Sequence, residues 1–162
     1  MARKSKQYVY NKNKLPGFIG NFEVKIAKNY RTVIPSEFRG LLQKDAIITK
    51  GFESTFIVIP KNNWEKLIKP IYNSSFLQRN IRDTTRYLIA NSYLLEIDEQ
   101  GRFVIPQPLR AHLATLNFEV PNTLIFAGML DYIEVWEPNA WKNRQAMLSK
   151  SIDKIAESLE NE

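Results

Sequence analysis

The chain has 162 residues, 44% hydrophobic and 25% charged, enough apolar material for one ordinary domain or two small ones and too much for wholesale disorder. It has no cysteine and a single histidine, His112, which excludes disulfides and cysteine nucleophiles and argues against a zinc site. The net charge of +6 is uneven: residues 1–14 carry +5, residues 15–90 carry +6 and residues 91–162 carry −5, an asymmetry that suggests a polyanionic partner for the first half.

Residues 1–17 read as a flexible basic arm holding Arg3, Lys4, Lys6, Lys12 and Lys14. The arm lacks the apolar stretch of a secretory signal, and no apolar run approaches the roughly 20 residues that cross a bilayer, so a cytosolic soluble protein is expected. Alternation over Phe22–Ile26 predicts a half-buried strand. A polar turn, Lys28-Asn29-Tyr30, leads to a second strand at Thr32–Ile34, which Pro35 closes because proline has no N–H for a ladder. Helical turns over Glu37–Leu42, strands at Ala46–Thr49 and Thr55–Ile59 with Gly51 at their junction, and a short helix around Trp64 follow.

The next segment, 67–92, reads as a linker helix. Ser74 or Ser75 caps it, Phe76, Leu77, Ile81, Leu88 and Ile89 lie on one side, and Arg79, Arg82 and Arg86 form a basic stripe. The pattern then begins again. Tyr93–Ile97 alternates, Glu99-Gln100-Gly101 turns with positive φ expected at Gly101, and Phe103–Ile105 runs into Pro106. Helical turns over Leu109–Thr115, strands at Thr123–Ala127 and Tyr132–Trp136 and a helix around Trp141 complete the second copy. Val-Ile-Pro recurs at 33–35 and 104–106, flanked in both copies by arginines at Arg31, Arg39, Arg102 and Arg110; beyond a six-residue insertion, Gly51, Val58, Asn62 and Trp64 match Gly128, Val135, Asn139 and Trp141. The tail, 142–162, continues as an amphipathic helix with Leu148, Ile152, Ile155 and Leu159 on one side.

The chain therefore divides into an arm (1–17), repeat 1 (18–66), a linker helix (67–92), repeat 2 (93–141) and a C-terminal helix (142–162). Either repeat alone is too small to bury both faces of its sheet, so a mainly β, α+β fold with one pseudo-twofold β-barrel core is expected.

Catalytic groupings are poor. His112 lies in a leucine-spaced helical turn and reads as a packing residue, and there is no glycine-rich phosphate loop. No enzyme activity, cofactor or metal is expected. The notable constellation is Asp98-Glu-Gln-Gly-Arg102: an acid ending one strand faces an arginine beginning the next across a tight turn and can hold its guanidinium by paired charge-assisted bonds. A rigidly presented arginine on a β-ribbon suits guanine readout or phosphate clamping, and a hairpin salt bridge of purely structural value is the alternative. In repeat 1 the corresponding turn is Ala27-Lys-Asn-Tyr-Arg31. The acid is replaced by Ala27, Lys25 and Lys28 add charge, and Tyr30 stands where repeat 2 has glycine, so Asn29 is expected to take the left-handed strain.

The run Asp98-x-x-Gly101-Arg102-x-x-Ile105-Pro106-x-x-Leu109-Arg110 resembles the signature of the AbrB/SpoVT swapped-hairpin DNA-binding domains. Two tandem copies, each ending near a tryptophan, with the opening Phe18-Ile-Gly-Asn-Phe-Glu23 and an arginine-bearing helix between them, resemble the MraZ family. The resemblance implies a double-split β-barrel built from two pseudo-symmetric halves. It also implies a DNA-binding transcriptional regulator, usually a repressor, of the division and cell-wall gene cluster, which binds promoter repeats as a ring-shaped homo-oligomer in the cytoplasm and nucleoid. The motif arginine and acid carry over to Arg102 and Asp98 and, by the repeat, to Arg31. Lys25, Lys28, Arg31, Asp98 and Arg102 are thus the expected DNA-binding residues. Two other functions fit the same residues: an AbrB-like antitoxin module, and a ring-forming scaffold without DNA binding.

Overall fold

The computed structural model describes residues 17–42, 45–113 and 120–160. The basic arm up to residue 16 and the expected helical turn beyond Leu113 lie outside them. Among the described residues, repeat 1 supplies β1 (Asn21–Lys25), β2 (Arg31–Val33), α1 (Ser36–Leu42), β3 (Ala46–Lys50), β4 (Phe56–Pro60) and α2 (Lys61–Tyr72). After α3 (Arg79–Leu88), repeat 2 supplies β5 (Tyr93–Leu95), β6 (Arg102–Val104), α4 (Gln107–Arg110), β7 (Thr123–Gly128), β8 (Ile133–Trp136) and α5 (Pro138–Glu160).

The strands form a six-stranded sheet in the order β1-β7-β8-β4-β3-β5 and a separate two-stranded ribbon of β2 and β6. Read from either end, the large sheet begins with the first strand of one repeat laid beside the third strand of the other. β1 pairs antiparallel with β7, with Glu23 opposite Ile125, and β5 pairs with β3, with Leu94 opposite Ile47. Each repeat finishes the other's sheet, so the expected pseudo-twofold is built by exchange of strands.

The core lies between the large sheet on one side and the ribbon with α1 and α4 on the other. Ile34, Phe38, Leu42, Phe103, Ile105 and Leu109 come down from the ribbon side to meet Ile48, Phe56, Val58, Leu124, Phe126, Ile133 and Val135 from the sheet. The opposite sheet face carries two smaller clusters. Trp64 of α2 packs with Ile57 and Ile59, and Trp141 of α5 packs on Trp136, Ile125 and Ala127, the two tryptophan rings meeting edge-on at 5.6 Å. β4 is therefore buried along its whole length, which explains its unbroken apolar sequence.

Two local expectations are corrected. The linker is not one helix: α2 extends to Tyr72, and α3 begins only at Arg79, after an extended Gln78 and without a side-chain cap. Ser74 donates instead to the Pro70 carbonyl at 2.6 Å, and Ser75 accepts the Leu77 N–H at 3.3 Å. Phe76 and Leu77 sit exposed ahead of the helix, their carbonyls receiving Arg82 Nη1 at 2.9 and 2.6 Å.

The second correction concerns the repeat's register. Ile48 faces Val58 and Phe126 faces Val135, so the spatial counterpart of Ile48 is Phe126 rather than Ile125. The turn closed by the Gly51 N–H on the Thr55 carbonyl is one residue longer than the turn closed by Met129 on Tyr132. Matching Gly51 to Gly128 therefore misplaces the preceding strand by one residue, and one residue exchanges the faces of a strand.

Candidate nucleic-acid interface

The β2–β6 ribbon is symmetric about one buried pair. Thr32 lies opposite Phe103, and both point inward at 4% exposure. Side chains alternate along a strand, so Arg31 and Val33 on β2, with Arg102 and Val104 on β6, leave by the outward face. Arg31 is opposite Val104 and Arg102 is opposite Val33, which makes the two arginines diagonal neighbours on one exposed surface.

The tip that precedes Arg102 is held by a short set of bonds. The Asp98 N–H donates to the Arg102 carbonyl and the Gly101 N–H to the Asp98 carbonyl, both at 2.9 Å, and Gly101 takes φ of 78°. Asp98 Oδ1 accepts the backbone N–H groups of Gln100 and Arg102, each at 2.9 Å, and Oδ2 accepts Arg102 Nε at 2.7 Å. The acid thus grips its arginine through one side-chain bond rather than the expected pair; the other oxygen closes the turn. The Arg102 backbone N–H, followed by its guanidinium, holds the Asp98 carboxyl below its ordinary pKa. Asp98 uses only Nε, so the two terminal nitrogens of the half-exposed guanidinium are not spent on the acid.

The tip that precedes Arg31 repeats the backbone pattern without the acid. Ala27 N–H donates to the Arg31 carbonyl and Tyr30 N–H to the Ala27 carbonyl, both at 2.9 Å. Asn29 Oδ1 accepts the Arg31 N–H at 3.2 Å, taking over one of the bonds that Asp98 makes in the other repeat. The left-handed residue is Tyr30, with φ of 63°, and not Asn29. The shared backbone bonds force positive φ on the residue before the arginine whatever its side chain, and the Arg110 guanidinium lies over the Tyr30 ring at 4.6 Å. Lys25 ends β1 and Lys28 lies in the turn, both exposed. Among the described residues no ion pair engages Lys25, Lys28 or Arg31.

The α3 stripe makes local contacts at the surface. Arg79 and Arg86 both pair with Asp83, at 3.6 and 3.0 Å, and Arg82 is tied to backbone carbonyls. Asp83, between them in the sequence, was the available signal.

Arg39 and Arg110, which the sequence marks only as repeated positions, both bond the backbone beside the tips. Arg39 Nε donates to the Ile34 carbonyl at 2.9 Å and Arg110 Nε to the Ile105 carbonyl at 3.0 Å. His112 packs against the Phe56 ring at 5.6 Å with Nε2 buried and unbonded; burial is the main cause lowering its pKa. Among the described residues no three His, Asp or Glu side chains gather as a metal site would need, and no helix is long and apolar enough to cross a membrane.

Comparison with known proteins agrees with this architecture. The family model described as "MraZ protein, putative antitoxin-like" matches residues 18–87 and again 88–161. Proteins named transcriptional regulator MraZ are similar over nearly the whole chain. The one from Caldanaerobacter subterraneus subsp. tengcongensis is 28% identical over 143 residues, 88% of this chain and 96% of the relative. Those from Pediococcus pentosaceus and a Roseiflexus species are 28% and 29% identical over 142 residues, with the same coverage. With two matched repeats, exchanged first strands and a paired-arginine ribbon, the chain belongs to the MraZ family.

Proposed function

We propose that this protein is a sequence-specific DNA-binding transcriptional regulator, acting as a repressor of the division and cell-wall gene cluster. In this reading it occupies promoter repeats as a ring-shaped homo-oligomer in the cytoplasm and nucleoid. The observation that carries the reading is the common outward face of Arg31 and Arg102 on one ribbon. Two guanidinium groups on one exposed face, that of Arg102 held by Asp98, suit base edges or phosphates of one groove, with Lys25 and Lys28 adding phosphate attraction in the Arg31 repeat. The name carried by the relatives, transcriptional regulator MraZ, supports the same reading.

One ribbon makes a small contact. Several ribbons gathered in a ring raise the effective concentration of each, so affinity and specificity arise from simultaneous engagement of repeats on DNA that curves with the ring. The test is a binding titration on the DNA upstream of the protein's own gene. Arg31→Ala and Arg102→Ala should each weaken retardation and lower the salt slope by about one for every ribbon engaged. Unchanged slopes in both variants would refute the reading. Native mass spectrometry of the full chain checks the ring, which a monomer would rule out.

A further inference from the structure

Each hairpin tip is held by the repeat to which it does not belong. The Ile34 N–H of repeat 1 donates to the Gly101 carbonyl of repeat 2 at 2.8 Å, and the Ile105 N–H of repeat 2 donates to the Tyr30 carbonyl of repeat 1 at 3.0 Å. The carbonyl of the same Ile34 receives Arg39 Nε, and that of Ile105 receives Arg110 Nε. Each arginine then returns to the tip that its isoleucine holds. Arg39 passes so close to Gly101 that a Cβ there would lie 2.6 Å from its Nε, and Arg110 covers the Tyr30 ring at 4.6 Å. Two closed circuits result, Gly101–Ile34–Arg39 and Tyr30–Ile105–Arg110, related by the pseudo-twofold.

We propose that Arg39 and Arg110 are positioning residues that aim the DNA-facing arginine of the opposite repeat: Arg39 aims Arg102, and Arg110 aims Arg31. This rests on the DNA-binding reading above. Gly101 and Tyr30 are the residues immediately before Arg102 and Arg31, so clamping them sets where each reading side chain starts. The clamps cross between repeats, so the body of the protein, rather than each hairpin, fixes the separation of the two arginines. Arginine suits the role because its planar head bonds the carbonyl through Nε while the rest of the group packs on the tip. A lysine has one ammonium and can serve only one of these sites. The tips are also held unequally. A bare glycine backbone lets Arg39 approach closely, whereas a tyrosine ring stands between Arg110 and the chain, so Arg31 is carried on a different support from Arg102.

Two measurements on the full-length protein test the proposal, using Arg39→Lys and Arg110→Lys, which keep the charge. Hydrogen exchange read by mass spectrometry should show a crossed pattern. Arg110→Lys speeds exchange in the peptide over Ala27–Arg31 and leaves Asp98–Arg102 unchanged, and Arg39→Lys does the reverse. Loosening of each variant's own tip, or of neither, overturns the clamp. Titration with the upstream duplex should show each variant binding about fivefold more weakly, with the salt slope unchanged because the charge is kept. Wild-type affinity in both variants, despite crossed exchange, would make the clamps structural only and overturn the positioning role. If the wild-type chain binds no duplex, the DNA reading fails, while the exchange pattern still decides the clamp.

Discussion

Arg31 and Arg102 lie diagonally across a two-stranded ribbon whose central pair, Thr32 and Phe103, is turned into the core. The outward display of the arginines therefore depends on an inward anchor. Phe103 packs against Phe126 of the large sheet, ring centres 6.5 Å apart. Phe103→Ala should cost about 3–5 kcal/mol, read as a lower urea midpoint.

Asp98 couples the shape of one tip to acid. Its carboxyl is held below the ordinary value of 3.8, first by the Arg102 backbone N–H and then by the Arg102 guanidinium. A depressed carboxyl pKa contributes stability that is present above the ordinary value and lost as pH falls through the lowered one. In protein labelled with 13C at aspartate carboxyls, the Asp98 signal should titrate below 3.8, and the Gln100 and Arg102 amide shifts should move at the same midpoint. Titration at or above 3.8 would mean that these bonds do not hold the carboxylate in solution.

His112 produces the opposite kind of dependence. Burial is the largest cause lowering its pKa from 6.5, and the charge on Lys50 acts in the same direction; the backbone carbonyls of Thr55 and Gly51 work against both. As pH falls below about 6.5 the unfolded chain takes up this proton before the folded one, so stability declines with acid through that window. Urea midpoints at pH 7.5 and 5.5 should differ in the wild type, and the difference should shrink in His112→Gln. An equal drop in the variant would place the effect elsewhere.

The β3–β4 turn carries removable strain. Glu53 and Ser54 both have positive φ, 59° and 63°, in a turn closed by the Thr55 N–H on the Phe52 carbonyl at 3.1 Å. Glycine is favoured at such positions, and a left-handed non-glycine residue costs roughly 1–2 kcal/mol. Ser54→Gly should stabilise the protein by about 0.5–1 kcal/mol once the added freedom of the unfolded chain is counted. Glu53 is better left in place, because it pairs with Arg144 of α5 at 3.0 Å. A fall in the urea midpoint would show that the turn is unstrained.

Residue types and spacings alone determined a good deal of this protein. Val-Ile-Pro flanked by arginines in both copies exposed the duplication, alternation located the strands around Val24 and Leu94, and Asp98-x-x-x-Arg102 marked one tip. These features are legible because they arise from local physics: proline removes a donor, alternation segregates two faces, and an acid four residues before an arginine can reach it across a turn. What only the tertiary structure decided arises from contacts between distant segments. Tyr30 rather than Asn29 takes the left-handed conformation, because backbone bonds shared with the other tip impose it and Arg110, eighty positions later, covers the ring. The α3 arginines pair at the surface with Asp83 and with carbonyls freed where the helix starts late. The crossed Arg39 and Arg110 clamps were likewise invisible, since a repeat in one dimension does not say which residue of one copy holds which residue of the other in three.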